Sequence, residues 1–226
     1  MPDEMINGDL SQPVSVATAT MPWSPSPSPS VWRKRMHRVG PAESGQVTSI
    51  VRYDAGSEFP AHEHPDGEEI LVLEGTFSDD RGDFPAGTYL LNPEGYRHAP
   101  SSREGCVLFV KLRQFPGLDR RQVAIDTAAM PWQAGDLAGV ASKPLYQQAG
   151  YSDVMTLERW SAGARLGRRE YPAGVEIFVI EGEFSDGAAA YPAGTWLRLP
   201  VGSSHAPQTG SGCTLYIKRG GQQYLR

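Results

Sequence analysis

The chain lacks the features that define several common classes of protein. Only two cysteines occur in 226 residues, which excludes a disulfide framework and a Cys-x2-Cys zinc module. Acidic residues outnumber basic ones and the net charge is -5, so no nucleic-acid partner is expected, since such a partner requires a basic face. No apolar run is long enough to span a bilayer, and the N-terminus lacks a signal-peptide pattern. We therefore expect a soluble cytoplasmic protein with no membrane partner.

The two cysteines occupy equivalent places in alternating segments. Cys106 precedes Leu108 and Val110 at intervals of two, and Cys213 precedes Leu215 and Ile217 in the same way. This spacing puts each sulfur on the apolar face of a strand, where a thiol is inert. We predict that both cysteines pack in the core. A redox-sensing role would require an exposed thiolate.

Turn-forming residues are abundant. The chain has 25 glycines and 19 prolines, which favours many short strands over long helices, and the predicted fold class is all-β. Runs of alternating or continuous apolar residues predict eight strands, at 47–53, 69–73, 88–91, 106–112, 154–160, 176–180, 195–199 and 214–218. Their spacing is typical of a jelly-roll barrel.

An internal repeat with an offset of 107 residues sets the domain organisation. The matched stretches include YDAG at 53–56 with WSAG at 160–163, FPAG at 84–87 with YPAG at 191–194, and HAP at 98–100 with HAP at 205–207. A repeat of this length is a domain and not a solenoid unit. We predict a flexible tail at 1–12 and two tandem jelly-roll barrels at 13–120 and 121–226.

A serine- and proline-rich segment at 24–30 favours an extended polyproline II conformation. It could be a ligand for a proline-recognition domain or a stiff loop laid across the barrel. We favour the loop, because the segment lies inside the repeated unit. His37 has no partner nearby in the sequence and is predicted to lie on the surface.

Residues that bind metals are concentrated between residues 56 and 102. His62 and His64 are two apart, so both imidazoles leave a strand by the same face. Glu68 follows a Pro-Asp-Gly turn, and His98 follows a Pro-x-Gly turn. Three imidazoles and a carboxylate suit zinc or iron, and manganese or nickel also fits. We predict one divalent transition metal per chain at these four residues.

The same residues resemble the two cupin motifs. Gly-x5-His-x-His-x3-Glu-x6-Gly runs from Gly56 to Gly75, and Gly-x5-Pro-x-Gly-x2-His runs from Gly87 to His98. The Asn that usually follows is replaced by Ser102. Within cupins the chain resembles the ChrR-like group, whose metal-binding cupin is the C-terminal half of a zinc anti-sigma factor, and related dioxygenases that cleave diketones and hydroxyacetophenones. The resemblance implies two tandem cupin barrels, with the metal bound at the four matched residues.

The second copy keeps only His205, which matches His98. The other three ligand positions are taken by residues of different types: Arg169, Tyr171 and Val175. We predict that the second barrel is metal-free. Either Tyr171 and Val175 fill the old cavity while Arg169 reaches solvent, or Arg169 and His205 bind a carboxylate or phosphate.

Three functions are compatible with these residues. The first is a metal-dependent dioxygenase acting on a small chelating molecule, the second is a ChrR-type regulator with a sigma factor as partner, and the third is a binding module without turnover. Nothing before residue 40 matches the His-and-paired-Cys zinc motif of the sigma-binding half. We therefore favour the dioxygenase. We also expect a homodimer or a monomer whose barrels pack tightly, because strand-rich barrels leave apolar outer faces to cover.

Overall fold

The computed structural model describes residues 5–41 and 43–226, and nearly all of its regular structure is antiparallel β-strand. The strands in chain order up to residue 126 are β1 (Val14–Ala17), β2 (Ser24–Pro25), β3 (Val31–Val39), β4 (Gln46–Tyr53), β5 (Ser57–Glu58), β6 (His62–His64), β7 (Glu68–Asp79), β8 (Gly82–Pro85), β9 (Thr88–Asn92), β10 (Tyr96–His98), β11 (Ser101–Ser102), β12 (Cys106–Leu112) and β13 (Val123–Asp126).

The remaining strands belong to the second copy. They are β14 (Gln133–Ala134), β15 (Val140–Tyr146), β16 (Val154–Trp160), β17 (Arg169–Tyr171), β18 (Val175–Ser185), β19 (Ala190–Pro192), β20 (Thr195–Leu199), β21 (Ser203–His205) and β22 (Cys213–Arg219). Residues 5–41 and 43–226 include two short 3-10 helices, at Thr18–Thr20 and Gln222–Tyr224. Within the described residues no helix is long and apolar enough to cross a membrane.

The chain forms two compact units. The first contains residues 5–8, Met21–Ala129 except residue 42, and Tyr224–Arg226, and the second contains Asp9–Thr20 and Met130–Gln223. Strand β1 therefore belongs to the second unit, where it pairs with β20, and β13 belongs to the first, where it pairs with β9. The predicted bounds of 13–120 and 121–226 follow the sequence repeat, which puts β1 in the first barrel and β13 in the second. The compact units assign these two strands the other way round.

Part of the predicted N-terminal tail is paired with the first unit. Residues 1–4 lie outside the described residues. Further along, the backbone amide of Ile6 donates to the Arg38 carbonyl and the amide of Arg38 donates to the Ile6 carbonyl, both at 2.9 Å.

The first barrel is built on a ten-stranded sheet. Seven of its strands follow the path β13-β9-β7-β12-β4-β3-β2, β8 and β11 pair with β7, and β5 pairs with β11. Side chains alternate between the two faces of each strand, and the apolar side chains of one face form a core. This core includes Val51, Ile70, Val72, Phe77, Leu90, Leu108 and Val110. Strands β6 and β10 form a separate two-stranded ribbon.

The second barrel repeats this plan. Its eight-stranded sheet follows the path β1-β20-β18-β22-β16-β15-β14, with β19 paired to β18, and its ribbon is β17 with β21. Its core includes Trp160, Tyr171, Val175, Phe184, Leu197, Leu215 and Ile217. The predicted fold class, all-β with two tandem jelly-roll barrels, is confirmed.

All eight predicted strands are present, and two extend at least five residues beyond their predicted ends. Strand β7 continues to Asp79 and β18 continues to Ser185. Each passes a glycine in the left-handed region, Gly75 (φ +69°) or Gly182 (φ +71°), near a register shift in the pairing of β7 with β12 or of β18 with β22. Glycine allows the strand to bend there without ending.

The surface position predicted for His37 is wrong. The residue is 1% exposed, and its Nδ1 lies 3.1 Å from the carbonyl oxygen of Asn7. Its partner is thirty residues earlier in the chain, so the sequence around His37 does not reveal the contact.

Replacing Gly75 by alanine should destabilise the protein strongly. An added Cβ would overlap the carbonyl oxygen of Gly105, in addition to the cost of the left-handed backbone. Gly56 has a similar φ of +78° but no atom within 4 Å of the position of a Cβ, so Gly56→Ala is the matched control. We expect Gly56→Ala to lose about 1–2 kcal/mol of unfolding free energy and Gly75→Ala about 2–5 kcal/mol, since overpacking adds to the backbone cost. Denaturant unfolding of the two variants measures the difference, and equal losses would contradict the close packing at Gly75.

Both thiols should be unreactive in the folded protein. Cys106 and Cys213 are free and buried, and burial raises the pKa of Cys213 to about 12 and also raises the pKa of Cys106. Because the thiolate is the reactive form and both thiols are buried, labelling of the native chain at pH 7 should be slow. A colorimetric thiol reagent should count no thiols before denaturation and two afterwards. Rapid native labelling would contradict the core assignment.

Candidate metal centre

The ribbon of β6 and β10 brings three histidines together. In its antiparallel register His98 lies opposite His62, and His64 leaves β6 by the same face as His62. The imidazole centroids of His62 and His64 are 4.7 Å apart, those of His64 and His98 are 4.8 Å apart, and those of His62 and His98 are 5.5 Å apart. One ring nitrogen from each histidine lies within 4.8 Å of the others.

Glu68 completes the predicted set. The turn between β6 and β7 contains Asp66 (φ +56°) and Gly67 (φ +72°), and it places Glu68 at the first position of β7. Its Oε2 lies 3.6 Å from Nε2 of His64 and 3.5 Å from Nε2 of His98. The structure therefore brings the three histidines together and places Glu68 next to His64 and His98.

These distances fit a bound transition metal. Imidazole nitrogens and carboxylate oxygens lie about 2.1 Å from such an ion, so neighbouring donor atoms lie about 3.0–3.4 Å apart. The Nε2 atoms of His64 and His98 are 2.9 Å apart. Two nitrogen lone pairs at that distance repel each other unless a proton or a cation lies between them. The separations of 2.9, 3.5 and 3.6 Å among donor atoms of His64, His98 and Glu68 are close to this spacing, and the donor set has the chemistry of a divalent metal site.

Neighbouring acceptors fix the tautomers of two histidines. Nδ1 of His98 lies 3.1 Å from Oδ2 of Asp79, and Nδ1 of His62 lies 3.0 Å from the carbonyl oxygen of Pro60. An ionised carboxylate and a carbonyl can only accept, so both Nδ1 atoms carry the hydrogen. Nε2 of each ring is therefore left with a lone pair, as a metal ligand requires.

Asp79 is held in its ionised form. Its side chain has no solvent exposure, and burial alone would raise the pKa of its carboxyl. Hydrogen bonds from the backbone and side chain of Arg81 and from His98 outweigh burial and lower the pKa. A carboxylate in this position orients the ring of His98 and raises its basicity toward a metal.

Burial also sets the charges of the ligands. Burial raises the pKa of Glu68, although His98 and the amide of Asn92, which donates to Oε2 at 3.0 Å, oppose the shift. Burial, with smaller effects of His62 and Arg113, lowers the pKa of His64 to about 3. His64 is therefore neutral at neutral pH and available as a ligand. The desolvated carboxylate of Glu68 would gain most from a cation at this point.

The second barrel has the same ribbon but different chemistry. Arg169 lies opposite His205 in the register of β17 and β21. The hydroxyl of Tyr171 lies 2.9 Å from Nε2 of His205, and Nδ1 of His205 lies 3.6 Å from Oδ2 of Asp186. Val175 is fully buried in the core. Within the described part of the chain, three metal-ligand side chains meet only in the first barrel.

Sequence reasoning missed Asp79 as a part of the site. The residue is 19 positions before His98, and only the extension of β7 beyond Gly75 brings it to the ribbon. One signal was present: the repeat keeps both members of the pair, since Asp186 and His205 occupy the corresponding positions.

The jelly-roll barrels and the histidine ribbon define the protein as a bicupin with a metal-type site in its first barrel. The chain belongs to the family described as the ChrR Cupin-like domain, which matches residues 11–116 and again residues 120–223. The resemblance inferred from the two motifs is confirmed. No curated protein sequence matches the chain.

Several solved structures share the fold. A proposed dioxygenase from Nostoc punctiforme has a TM-score of 0.76 at 17% identity, over 92% of this chain and 82% of that one. A glyoxylate-induced protein from Pseudomonas aeruginosa has a TM-score of 0.74 at 10% identity, over 97% and 92%. A bacterial pirin from Escherichia coli in complex with nickel(II) has a TM-score of 0.68 at 16% identity, over 92% and 99%. At these identities the likeness establishes the fold alone.

The Asp79→Asn variant should weaken metal binding without changing the ligands. Loss of the negative charge behind His98 should lower the affinity for zinc by about 10–100-fold. Asp186→Asn, the equivalent change in the second barrel, is the control and should leave the affinity unchanged. Competition with a chelator measures both constants, and the melting temperatures show whether each variant is folded. An unchanged affinity in a folded Asp79→Asn variant would contradict the orienting role.

Proposed function

We propose that the protein binds a divalent transition metal at His62, His64, Glu68 and His98 and uses it to oxidise a small chelating organic molecule, as a dioxygenase does. The observation that carries the proposal is the placement of three of these donors beside a small apolar cavity that shares part of its wall with a larger vestibule. A structural metal site is normally closed by protein ligands, whereas a catalytic site keeps access for a substrate.

The inner cavity lies against three of the four donors. Its volume is about 70 Å³, and His62, His64 and Glu68 contribute to its wall. The rest of the wall is largely apolar: Val31, Val51, Tyr53, Phe77, Leu108 and Val110. A water molecule occupies about 30 Å³ of liquid, so this space admits only the reacting end of a small molecule.

The vestibule supplies the remaining room. It has a volume of about 300 Å³ and shares part of its wall with the inner cavity. The shared residues are Arg33, Phe59, His62, His64 and Leu112. Pro27 and Ser28 of the proline-rich segment line the outer part. A substrate would lie with its chelating oxygens inward and its substituent in the vestibule.

Charged side chains line the vestibule. The Arg33 guanidinium pairs with Glu43 at 2.9 Å, and Arg113 donates to the carbonyl oxygens of Gly45 at 3.3 Å and Glu43 at 3.2 Å. Glu63 belongs to the same wall, so its two arginines and two glutamates leave no net charge. The guanidinium groups can donate hydrogen bonds to a polar substituent of the substrate.

A bound metal would supply Lewis acidity toward the chelating oxygens and, when the metal is iron, the redox chemistry that dioxygen requires. The protein would hold the donors, orient His98 through Asp79 and keep bulk water out of the apolar cavity. In a dioxygenase cleavage both oxygen atoms enter the products, as a carbon–carbon bond and the oxygen–oxygen bond break. The substrate supplies all four electrons, so no external reductant is needed.

The family match favours a second function. The ChrR Cupin-like description covers both barrels, so a regulator that uses the same metal site without turnover is the alternative. The two functions differ in a measurable way. A regulator requires a protein partner, for which a sigma factor is the candidate, and does not consume oxygen. Cytoplasmic location and a homodimer stay predictions under either function.

Elemental analysis and oxygen uptake test the proposal together. The purified chain should contain one transition metal, and the iron(II)-loaded protein should consume oxygen when given a 1,3-diketone or a hydroxyacetophenone. His62→Ala and His98→Ala should bring both the metal content and the uptake close to zero. His205→Ala is the matched control from the second barrel and should keep both.

The outcomes separate the alternatives. One iron per chain with no uptake on any chelating substrate would overturn the dioxygenase and leave the regulator. Two metals per chain would contradict a metal-free second barrel.

A further inference from the structure

The second barrel contains a polar cavity that the metal site does not explain. Its volume is about 390 Å³ and it opens to solvent. Polar and charged side chains make up much of its wall: Gln133, Asp136, Ser142, Thr156, Glu158, Arg169 and Arg219. All of them belong to the second unit.

Three of the charges replace apolar or metal-binding residues of the first barrel. At the repeat offset of 107, Glu158 corresponds to Val51 and Arg219 to Leu112, while Arg169 takes the place of His62. A charged group inside a barrel costs desolvation free energy unless it is paired. Three such replacements around one cavity are not explained by packing, for which the apolar residues of the first copy suffice. They indicate a polar ligand.

Two of these three charges neutralise each other. Arg219 forms an ion pair with Oε1 of Glu158 and donates to the hydroxyl of Thr156 at 3.2 Å. The indole of Trp160 donates to the other oxygen of Glu158 at 2.8 Å. Both carboxylate oxygens of Glu158 are therefore occupied, and this network contributes no net charge to the cavity.

Arg169 is the third of these charges. No carboxylate of the described residues forms an ion pair with Arg169, whereas the neighbouring Arg168 pairs with Glu170 at the surface. His205, the partner expected from the sequence, accepts a hydrogen bond from Tyr171 and does not line the cavity. The exposed Asp136 also lines the cavity, so its two arginines and two carboxylates carry no net charge. Arg169 is the arginine of this wall that has no ion pair among the described residues, and its planar guanidinium suits a carboxylate.

We propose that the second barrel binds a small monocarboxylate with a hydroxyl or carbonyl group, held by Arg169 through its carboxylate and by Ser142 and Thr156 through its polar substituent. The guanidinium of Arg169 can pair with one carboxylate. Phosphate carries more negative charge, which would be left uncompensated next to Glu158 and Asp136. This site differs in chemistry and position from the metal centre and does not depend on the proposed oxidation.

Calorimetric titration of the full chain with lactate, pyruvate and inorganic phosphate tests the assignment. The His98→Ala background is used because a carboxylate can also chelate the metal in the first barrel. Lactate or pyruvate should bind with one site per chain and more tightly than phosphate. Methyl lactate, which has no carboxylate, should bind at least tenfold more weakly than lactate.

Two arginine variants assign the site. Arg169→Gln should weaken monocarboxylate binding at least tenfold, whereas Arg168→Gln, a change in the adjacent exposed arginine, should have no effect. Arg169→Lys should restore part of the affinity, and Thr156→Val, which removes a hydroxyl group from the cavity wall, should also weaken binding. The melting temperatures without ligand identify any variant that is not folded.

The proposal would be overturned if neither lactate nor pyruvate bound with a millimolar or tighter dissociation constant. Equal affinity in Arg169→Gln and the parent protein, or tighter binding of phosphate than of these acids, would also overturn it. Binding that Arg168→Gln abolishes would also overturn it, because the surface and not the cavity would then hold the ligand.

Discussion

The metal-type site depends on the register of the ribbon formed by β6 and β10. A slip of one residue would turn His98 to the opposite face and separate it from His62 and His64. The register is fixed by two turns whose backbone amides, at Gly67 and Gly95, both donate to the carbonyl of His64. Glu68 then enters the same point from the start of β7, and its burial makes a cation at this point favourable.

The second barrel keeps this scaffold and changes its chemistry. The amides of Gly174 and Gly202 both donate to the carbonyl of Tyr171, as Gly67 and Gly95 do to His64, so the ribbon has the same construction. The aspartate behind the last histidine is also retained, although His205 now contacts a tyrosine hydroxyl instead of other ligands. One backbone arrangement thus presents metal donors in one copy and charged groups around a polar cavity in the other.

Part of the candidate site could be predicted from the sequence because its geometry is local. The i, i+2 spacing of His62 and His64 and the turns before Glu68 and His98 determine where the side chains point, and the strands followed from apolar periodicity. Contacts between distant segments could not be predicted in this way. Asp79 reaches His98 only because β7 bends at Gly75 and continues, and His37 is buried by a segment thirty residues earlier.

Two charged residues of the second cavity, Glu158 and Arg219, were not predicted, for a related reason. Glu158 and Arg219 lie in strands whose alternation predicts one inward and one outward face, and a charged residue on the inward face has no local signal. Val51 and Leu112, the equivalent residues of the first copy, line the inner cavity of the first barrel, and Glu158 and Arg219 line the cavity of the second. Both positions therefore face a cavity in each copy.

Anomalous diffraction at the absorption edge of the bound metal tests the central claim most directly. Crystals of the protein with the metal that it retains on purification should show one anomalous peak per chain, at about 2.0–2.2 Å from donor atoms of His62, His64, Glu68 and His98. A peak in the second barrel, a peak at the surface, or no peak between these four residues in a metal-containing crystal would contradict the account.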